Sequence, residues 1–284
     1  MRESLPAILD GLIDDFIDAG AADLMPVYAE PLANLTLLHA LGLKDVSWQQ
    51  LAGWCHGVIT GLANFENDPG LAAIAATAHS ELGVALDNQI AAASAHSDAS
   101  GLSLYLEYGF DRDEITNNVR LMISGGINEP RDAVGLVMYE LLTRPEHRER
   151  AREDPATLRR VIEETLRYHS PVGTATRQTT EDVVLGGVTI PRGEIVAAVL
   201  TSANRDPLRW SEPDLFSPNR GEGPHLAFST SEHRCLGEWM ARQQVRIGVE
   251  RLLERLPNLR LAGEVVITGF EFRGPESLPV TWDV

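Results

Sequence analysis

Apolar side chains recur at helical spacing through most of the first 170 residues. Leu5, Ile8, Leu9, Leu12, Ile13, Phe16 and Ile17 form the first stripe, and Gly20 is placed to stop it. Residues 48–65 repeat the pattern with Leu51, Val58, Ile59 and Leu62. A third helix is predicted over roughly 70–96, with Leu71, Ile74, Leu82 and Leu86 on one face. The fourth starts at Asp111, where Glu114 stands at capping-box spacing. Its stripe, Ile115, Val119, Met122 and Ile123, continues through Gly125–Gly126 towards Leu142, and Pro130 predicts a kink or opened turn near 126–130. Another helix is predicted at about 156–169. The texture then changes. VVLGGVTIPRGEIVAAVL sets Gly186–Gly187 between two short β-type runs, a hairpin signal. Residues 203–235 are dense in Pro, Asp, Asn, Ser and Gly and read as one long irregular stretch, which inside a compact domain is usually functional. A strong helix follows Cys235 to about Leu256, and 258–284 alternates weakly into small strands. The prediction is a mainly α fold with a minor β part. It forms a single domain over 1–284: helical over 1–170, mixed β and loop over 171–237, then a helix and terminal strands over 238–284.

Composition narrows the setting. The chain has 284 residues, 44% of them hydrophobic, enough to bury a substantial core. A formal charge of −17 argues against nucleic acid or an anionic membrane surface as partner. No run of eighteen apolar residues suggests a bilayer span, and the acidic N-terminus lacks the features of a signal peptide. With Cys55 and Cys235 the only cysteines, no disulfide framework is expected. A cytoplasmic, reducing location with no membrane association is the expectation.

Cys235 stands between the irregular stretch and a helix. At a helix start, unpaired backbone N–H groups and the positive end of the dipole favour the thiolate, the form that binds metal. A lone cysteine is nevertheless more often a small buried thiol, which is the reading for Cys55 inside an amphipathic helix. No histidine pair has zinc-ligand spacing such as HExxH.

Three segments change the balance for Cys235. Glu164 and Arg167 in EETLRYHSPV lie one helical turn apart, where a guanidinium and a carboxylate can pair in two-pronged fashion. ANRDPLRWSEPDLFSPNR (203–220) ends in Arg220, and HLAFSTSEHRCLG (225–237) carries Phe228, His233, Cys235 and Gly237. In this order they resemble the ExxR helix, the meander and the cysteine loop of the cytochrome P450 family, and the resemblance covers roughly residues 112–284. ATRQTTEDVVLGGVTIPRGEIV, starting near Arg177, resembles the strand region after the ExxR helix. The resemblance implies a P450-like helical fold and haem b as cofactor. It implies that Cys235 ligates the iron, that Phe228 packs on the sulfur side with Gly237 close by, and that His233, Arg177 and His225 face the propionates. It also implies that Glu164, Arg167 and Arg220 form an ionic cluster pinning the loop.

Three departures stand out. Ser229 and Ser231 occupy positions that are usually glycine, where positive φ is favoured, so a distorted loop is expected. In SGGINEPRD (124–132), small Gly125 and Gly126 leave room for dioxygen, and Asn128 and Glu129 stand where the family has an acid–alcohol pair. Proton delivery to dioxygen needs a polar group or ordered water there. Glu129 or Asn128 organising that water, and Glu129 merely capping the turn freed by Pro130, are both open. The same segment is similar to that of a bacterial subgroup including aromatic O-demethylating enzymes. Finally, the chain resembles a P450 shortened at its N-terminus, so an open haem flank and uncovered apolar surface are expected. A second copy or another chain covering it, a fragment, and a repurposed pocket are the alternatives.

The resemblance implies a monooxygenase acting with O2 on a small apolar or aromatic substrate, with electrons from a ferredoxin, flavodoxin or reductase. Arg234, Arg242 and Arg246 are candidates for the patch that receives the electron donor. A non-catalytic scaffold for a partner enzyme and a peroxide-using haem protein are the competing readings.

Overall fold

The structure, a computed structural model, describes residues 4–284. Its first stripe folds as α1, Leu5–Asp14, followed by a 3₁₀ turn at Ile17–Ala19, and Gly20 at φ +67 ends the run as its position predicts. A π turn, Met25–Ala29, leads into α2, Glu30–Leu41. α3 spans Trp48–Leu62, with Ser47 and Gln50 forming a capping box. α4 spans Pro69–Ala95, capped by the Asp68 carboxylate. α5, Gly101–Glu107, is short. α6, Arg112–Gly125, starts from the Asp111–Glu114 capping box, and α7, Asn128–Thr143, resumes after a two-residue break. The break falls where Pro130, lacking an N–H, cannot bond back to Gly126. α8, Pro145–Glu153, and α9, Pro155–His169, follow.

β2, Thr174–Gln178, pairs antiparallel with β5, Ile195–Val199, setting Arg177 opposite Val196. Between them β3, Val183–Leu185, and β4, Val188–Ile190, form the hairpin, with Gly186 and Gly187 at φ +57 and +81. After α10, Leu200–Ala203, the chain runs irregularly to a 3₁₀ turn at Ser231–His233. α11 spans Glu238–Arg255. Four short strands finish the chain: β6 (Arg260–Leu261), β7 (Ile267–Thr268), β8 (Gly274–Pro275) and β9 (Pro279–Thr281). β9 pairs with both β6 and β1 (Ala21–Asp23), joining the two ends of the described chain.

Two apolar cores form. One packs α1, α7, α9 and α11 around Leu9, Tyr28, Val137, Val161 and Leu252. The other packs α3, α4 and α6 around Leu51, Leu82, Leu86 and Val119. α2 belongs to both, through Leu32 on one side and Leu37 on the other. Among the described residues no helix is long and apolar enough to cross a membrane.

Candidate haem–thiolate site

The irregular stretch is held by a saturated ionic cluster. From the buried face of α9, Arg167 donates through Nε and Nη2 to the two Glu164 oxygens, both at 2.8 Å. Its other N–H groups reach the carbonyls of Asn204, Pro213 and Leu215. Glu164 also accepts from the Ser217 amide at 2.7 Å and from Arg220 Nε at 3.4 Å. Arg220 in turn donates to the carbonyls of Ser211, Glu212 and Leu215. Asn204 extends the tie: its Oδ1 accepts from the Leu226 amide at 2.7 Å, at the head of the cysteine loop.

In that loop the Cys235 amide donates to the Phe228 carbonyl at 2.9 Å, and the Ser229 amide to Leu226. Ser229 and Ser231 adopt φ +56 and +57. The loop therefore keeps the left-handed geometry that glycine favours, where distortion was expected, and serine bears the strain. The helix-terminus argument for the thiolate is corrected. α11 begins three residues beyond Cys235, and the thiol's pKa is raised. Burial is the chief cause, with Glu129 and Glu238 adding to it; the Gly237 amide and Arg242 oppose it.

Cys235 lines a cavity of about 970 Å³, part of it open to solvent. Phe228, Ser229 and Gly237 from the loop, Arg177 from β2 and Arg242 from α11 share its wall. Gly125, Gly126, Glu129 and Pro130 at the α6–α7 break line it as well, with apolar Ile162, Leu166, Val172 and Leu200. The carboxyl of Glu129 is enclosed: Oε2 has no hydrogen-bond partner. Burial, and secondarily Asp132, push it up to about 7, against its own backbone amide and Arg131.

Not every candidate arrives here. Asn128 starts α7 without lining the cavity. His233 is exposed on its 3₁₀ turn. The propionate role for His225 is not supported, because both ring nitrogens are engaged. Nε2 lies 3.1 Å from Glu163, and Nδ1 accepts from the Ala227 amide. The basic patch is corrected too. Arg242 pairs with Glu163 and Glu238, Arg234 with Glu238, and Arg246 with Glu250. Burial alone would raise Glu163, but hydrogen bonds from His225 and Arg242 outweigh it and hold the carboxyl down to about 2. Arg242 also lies over the Phe228 ring, 4.3 Å from its centroid. Apolar surface does stand uncovered, at Ile195, Leu236, Trp239 and Phe270.

Gln244 was missed. It lines the cavity from α11, is fully buried, and neither amide atom has a partner. In sequence it reads as one of two glutamines on a helix, with no motif to distinguish it.

The residues present suit a haem. Among the described residues no three His, Cys, Asp or Glu side chains gather to hold a metal ion, so Cys235 offers a single ligand. The cavity is apolar, with a guanidinium at Arg177 that meets only the Thr176 carbonyl. One cysteine, small residues and a guanidinium on the walls of the same apolar cavity define the class, a haem–thiolate protein. Comparison with known proteins agrees. The Cytochrome P450 family model matches residues 86–259. Cytochrome P450 107B1 of Saccharopolyspora erythraea is 33% identical over 99% of this chain and 70% of its own length. The monooxygenase PikC of Streptomyces venezuelae is 32% identical over 99% and 69%. The crystal structure of CalO2 superposes with a TM-score of 0.91 at 29% identity, covering 99% of this chain and 72% of that one. The chain belongs to the cytochrome P450 family. Its relatives are monooxygenase-type haem proteins, and it is an oxidoreductase of that kind.

Proposed function

We propose that the chain, as a single cytoplasmic domain, uses haem b, O2 and external electrons to hydroxylate or O-dealkylate a small apolar or aromatic molecule. The electron donor is a ferredoxin, flavodoxin or reductase. One observation carries the reading: the fold sets the Cys235 sulfur and the enclosed Glu129 carboxyl on walls of the same apolar cavity. The bound haem supplies the one-electron and dioxygen chemistry. Cys235 holds the iron, Phe228 covers the sulfur, and Arg177 meets a propionate as a charge-assisted partner. Gly125 keeps space free, since a Cβ there would come within 4 Å of only Glu129 Oε1, whereas a Cβ on Gly126 would strike the Met122 carbonyl, so Gly126 serves close packing at the helix break. Glu129 holds a proton at its carboxyl close to neutral pH, the range a general acid needs.

The unpartnered carboxyl also favours a second reading, peroxide in place of O2 and electrons, because Glu129 can take a proton from peroxide as a general base. The test of the main reading is spectroscopic. The haem-supplemented protein, reduced and exposed to carbon monoxide, is expected to show the red-shifted Soret band of thiolate ligation. Cys235→Ala abolishes the band and Cys55→Ala leaves it. Failure to take up haem sinks the reading. Product formed with peroxide alone, at rates above those with reductant and O2, decides for the second.

A further inference from the structure

Two adjacent carboxylates of α9 hold different parts of the site. Glu164 belongs to the ionic cluster that pins the irregular stretch. Glu163, one position earlier, reaches α11 and the cysteine loop. It accepts from Arg242 Nε at 2.7 Å and from Nη2 at 3.0 Å, a two-pronged pair between α9 and α11. Its Oε2 also lies 3.1 Å from His225 Nε2. Both partners border Phe228. The Arg242 guanidinium lies over the ring, 4.3 Å from its centroid, and the His225 ring is 6.1 Å away at a tilt of 36°.

A guanidinium suits this place. Its N–H groups point outward in its own plane, so carboxylates can take the edge while the flat face rests on an aromatic ring. Glu163 takes two of the Arg242 N–H groups, and Glu238 takes a third from Nη1 at 2.9 Å. The Glu163 and Arg242 side chains are 42% and 26% exposed, and a pair so placed adds little stability of its own. What it sets is where the guanidinium sits. The Phe228 backbone is fixed separately, its carbonyl accepting from the Cys235 amide at 2.9 Å. Phe228, Cys235 and Arg242 then line the same cavity, whereas Glu163 stands outside that wall.

We propose that Glu163 is a positioning residue that clamps Arg242 flat over Phe228, fixing the ring of the cysteine loop and the cation that lies on it. Glu163 acts only through Arg242 and His225. The clamp itself stands on the contacts around Phe228; its consequence for the iron rests on the haem–thiolate reading. There the Arg242 charge favours the reduced iron, which carries one positive charge fewer than the oxidised iron.

A double-mutant cycle tests the clamp on the full chain prepared without added haem, with Arg242→Met and Phe228→Leu read by urea unfolding. The two changes are expected to be non-additive, with a coupling of about two- to fivefold in the unfolding constant, the size of a cation–π contact. In a Glu163→Gln background that coupling should vanish. Additive changes, or a coupling untouched by Glu163→Gln, overturn the proposal. Should Arg242→Met not fold, Arg242→Lys takes its place in the cycle, because an ammonium cannot serve both carboxylate oxygens and lie flat on the ring. In the haem-loaded protein, Arg242→Met is expected to lower the reduction potential while the carbon monoxide Soret band keeps its thiolate position. A potential that does not move also overturns the proposal. The cycle does not depend on haem uptake, so failure of the Soret test and failure of this proposal are distinguishable.

Discussion

Glu164, Arg167 and Arg220, which tie down the irregular stretch, and Glu129 and Gln244, which line the cavity, are both buried polar groupings, yet they are finished differently. Arg167 carries five N–H donors, and each has an acceptor: two on Glu164 and three backbone carbonyls. Glu129 and Gln244 instead leave three side-chain atoms without a partner among the described residues. A saturated network fixes one arrangement of the loop around it. An unsaturated one marks where something other than protein completes the structure. The first grouping therefore holds the site together, and the second is where a proton or a water can change place.

The contrast predicts the largest loss on the saturated side. Arg167→Leu removes the two-pronged partner of the Glu164 carboxylate, which is 5% exposed and keeps only the Ser217 amide and Arg220, and deprives the Asn204 and Pro213 carbonyls of their donor. Breaking a buried pair in this way costs about 3–5 kcal/mol, a large share of the 5–15 kcal/mol that stabilises a typical domain. Urea unfolding is expected to show that loss, or no folded protein at all. A cost below about 1 kcal/mol would remove the cluster's claim to hold the loop.

On the unsaturated side the expected change has the opposite sign. Glu129 binds its proton more tightly folded than unfolded, so native protein holds more protons between the ordinary carboxylate range and about pH 7. Stability attributable to this group is present at low pH and is lost as pH rises through that window. The full loss is about 3–4 kcal/mol, from the rise between 4.5 and about 7. Glu129→Gln keeps the shape and removes the charge. Its stability at pH 8 should exceed that of the unmodified protein, and the difference should vanish near pH 4. Equal pH profiles for the two proteins would mean that the carboxyl is already well solvated.

What the sequence made legible divides along similar lines. Amphipathic elements could be read, because one apolar face gives a period: α3, α4, α6, α9 and α11 fall close to their expected spans. α2 could not, since Leu32, Ala33, Asn34, Thr36, Leu37 and Leu38 bury both faces between two cores and leave no stripe. α8, PEHRERARE, escaped for the converse reason, having one buried residue. In the site, the ordered motifs carried Cys235, Phe228 and Arg177, and all three line the cavity. His225 and the arginines of α11 were misjudged because their partners, Glu163, Glu238 and Glu250, lie elsewhere in the sequence or looked like ordinary surface acids. Gln244 was invisible for a simpler reason: its distinction is the absence of a partner, which only a packed structure reveals.

The smallest effect is expected in the loop between the two groupings. Ser229 and Ser231 hold φ values near +56, where an L side chain costs about 1–2 kcal/mol. Glycine at either position removes that strain but gives the unfolded chain more freedom, which takes back about 0.5–1 kcal/mol. Ser229→Gly and Ser231→Gly should each stabilise the protein by about 0.5–1 kcal/mol, read as a higher urea midpoint with an unchanged slope. The two positions share one short loop, so the double variant need not give the sum. A fall in stability would show that a serine side chain makes interactions worth more than its backbone strain. The loop would then resemble the saturated cluster on which it rests, rather than a glycine turn carrying two substitutions.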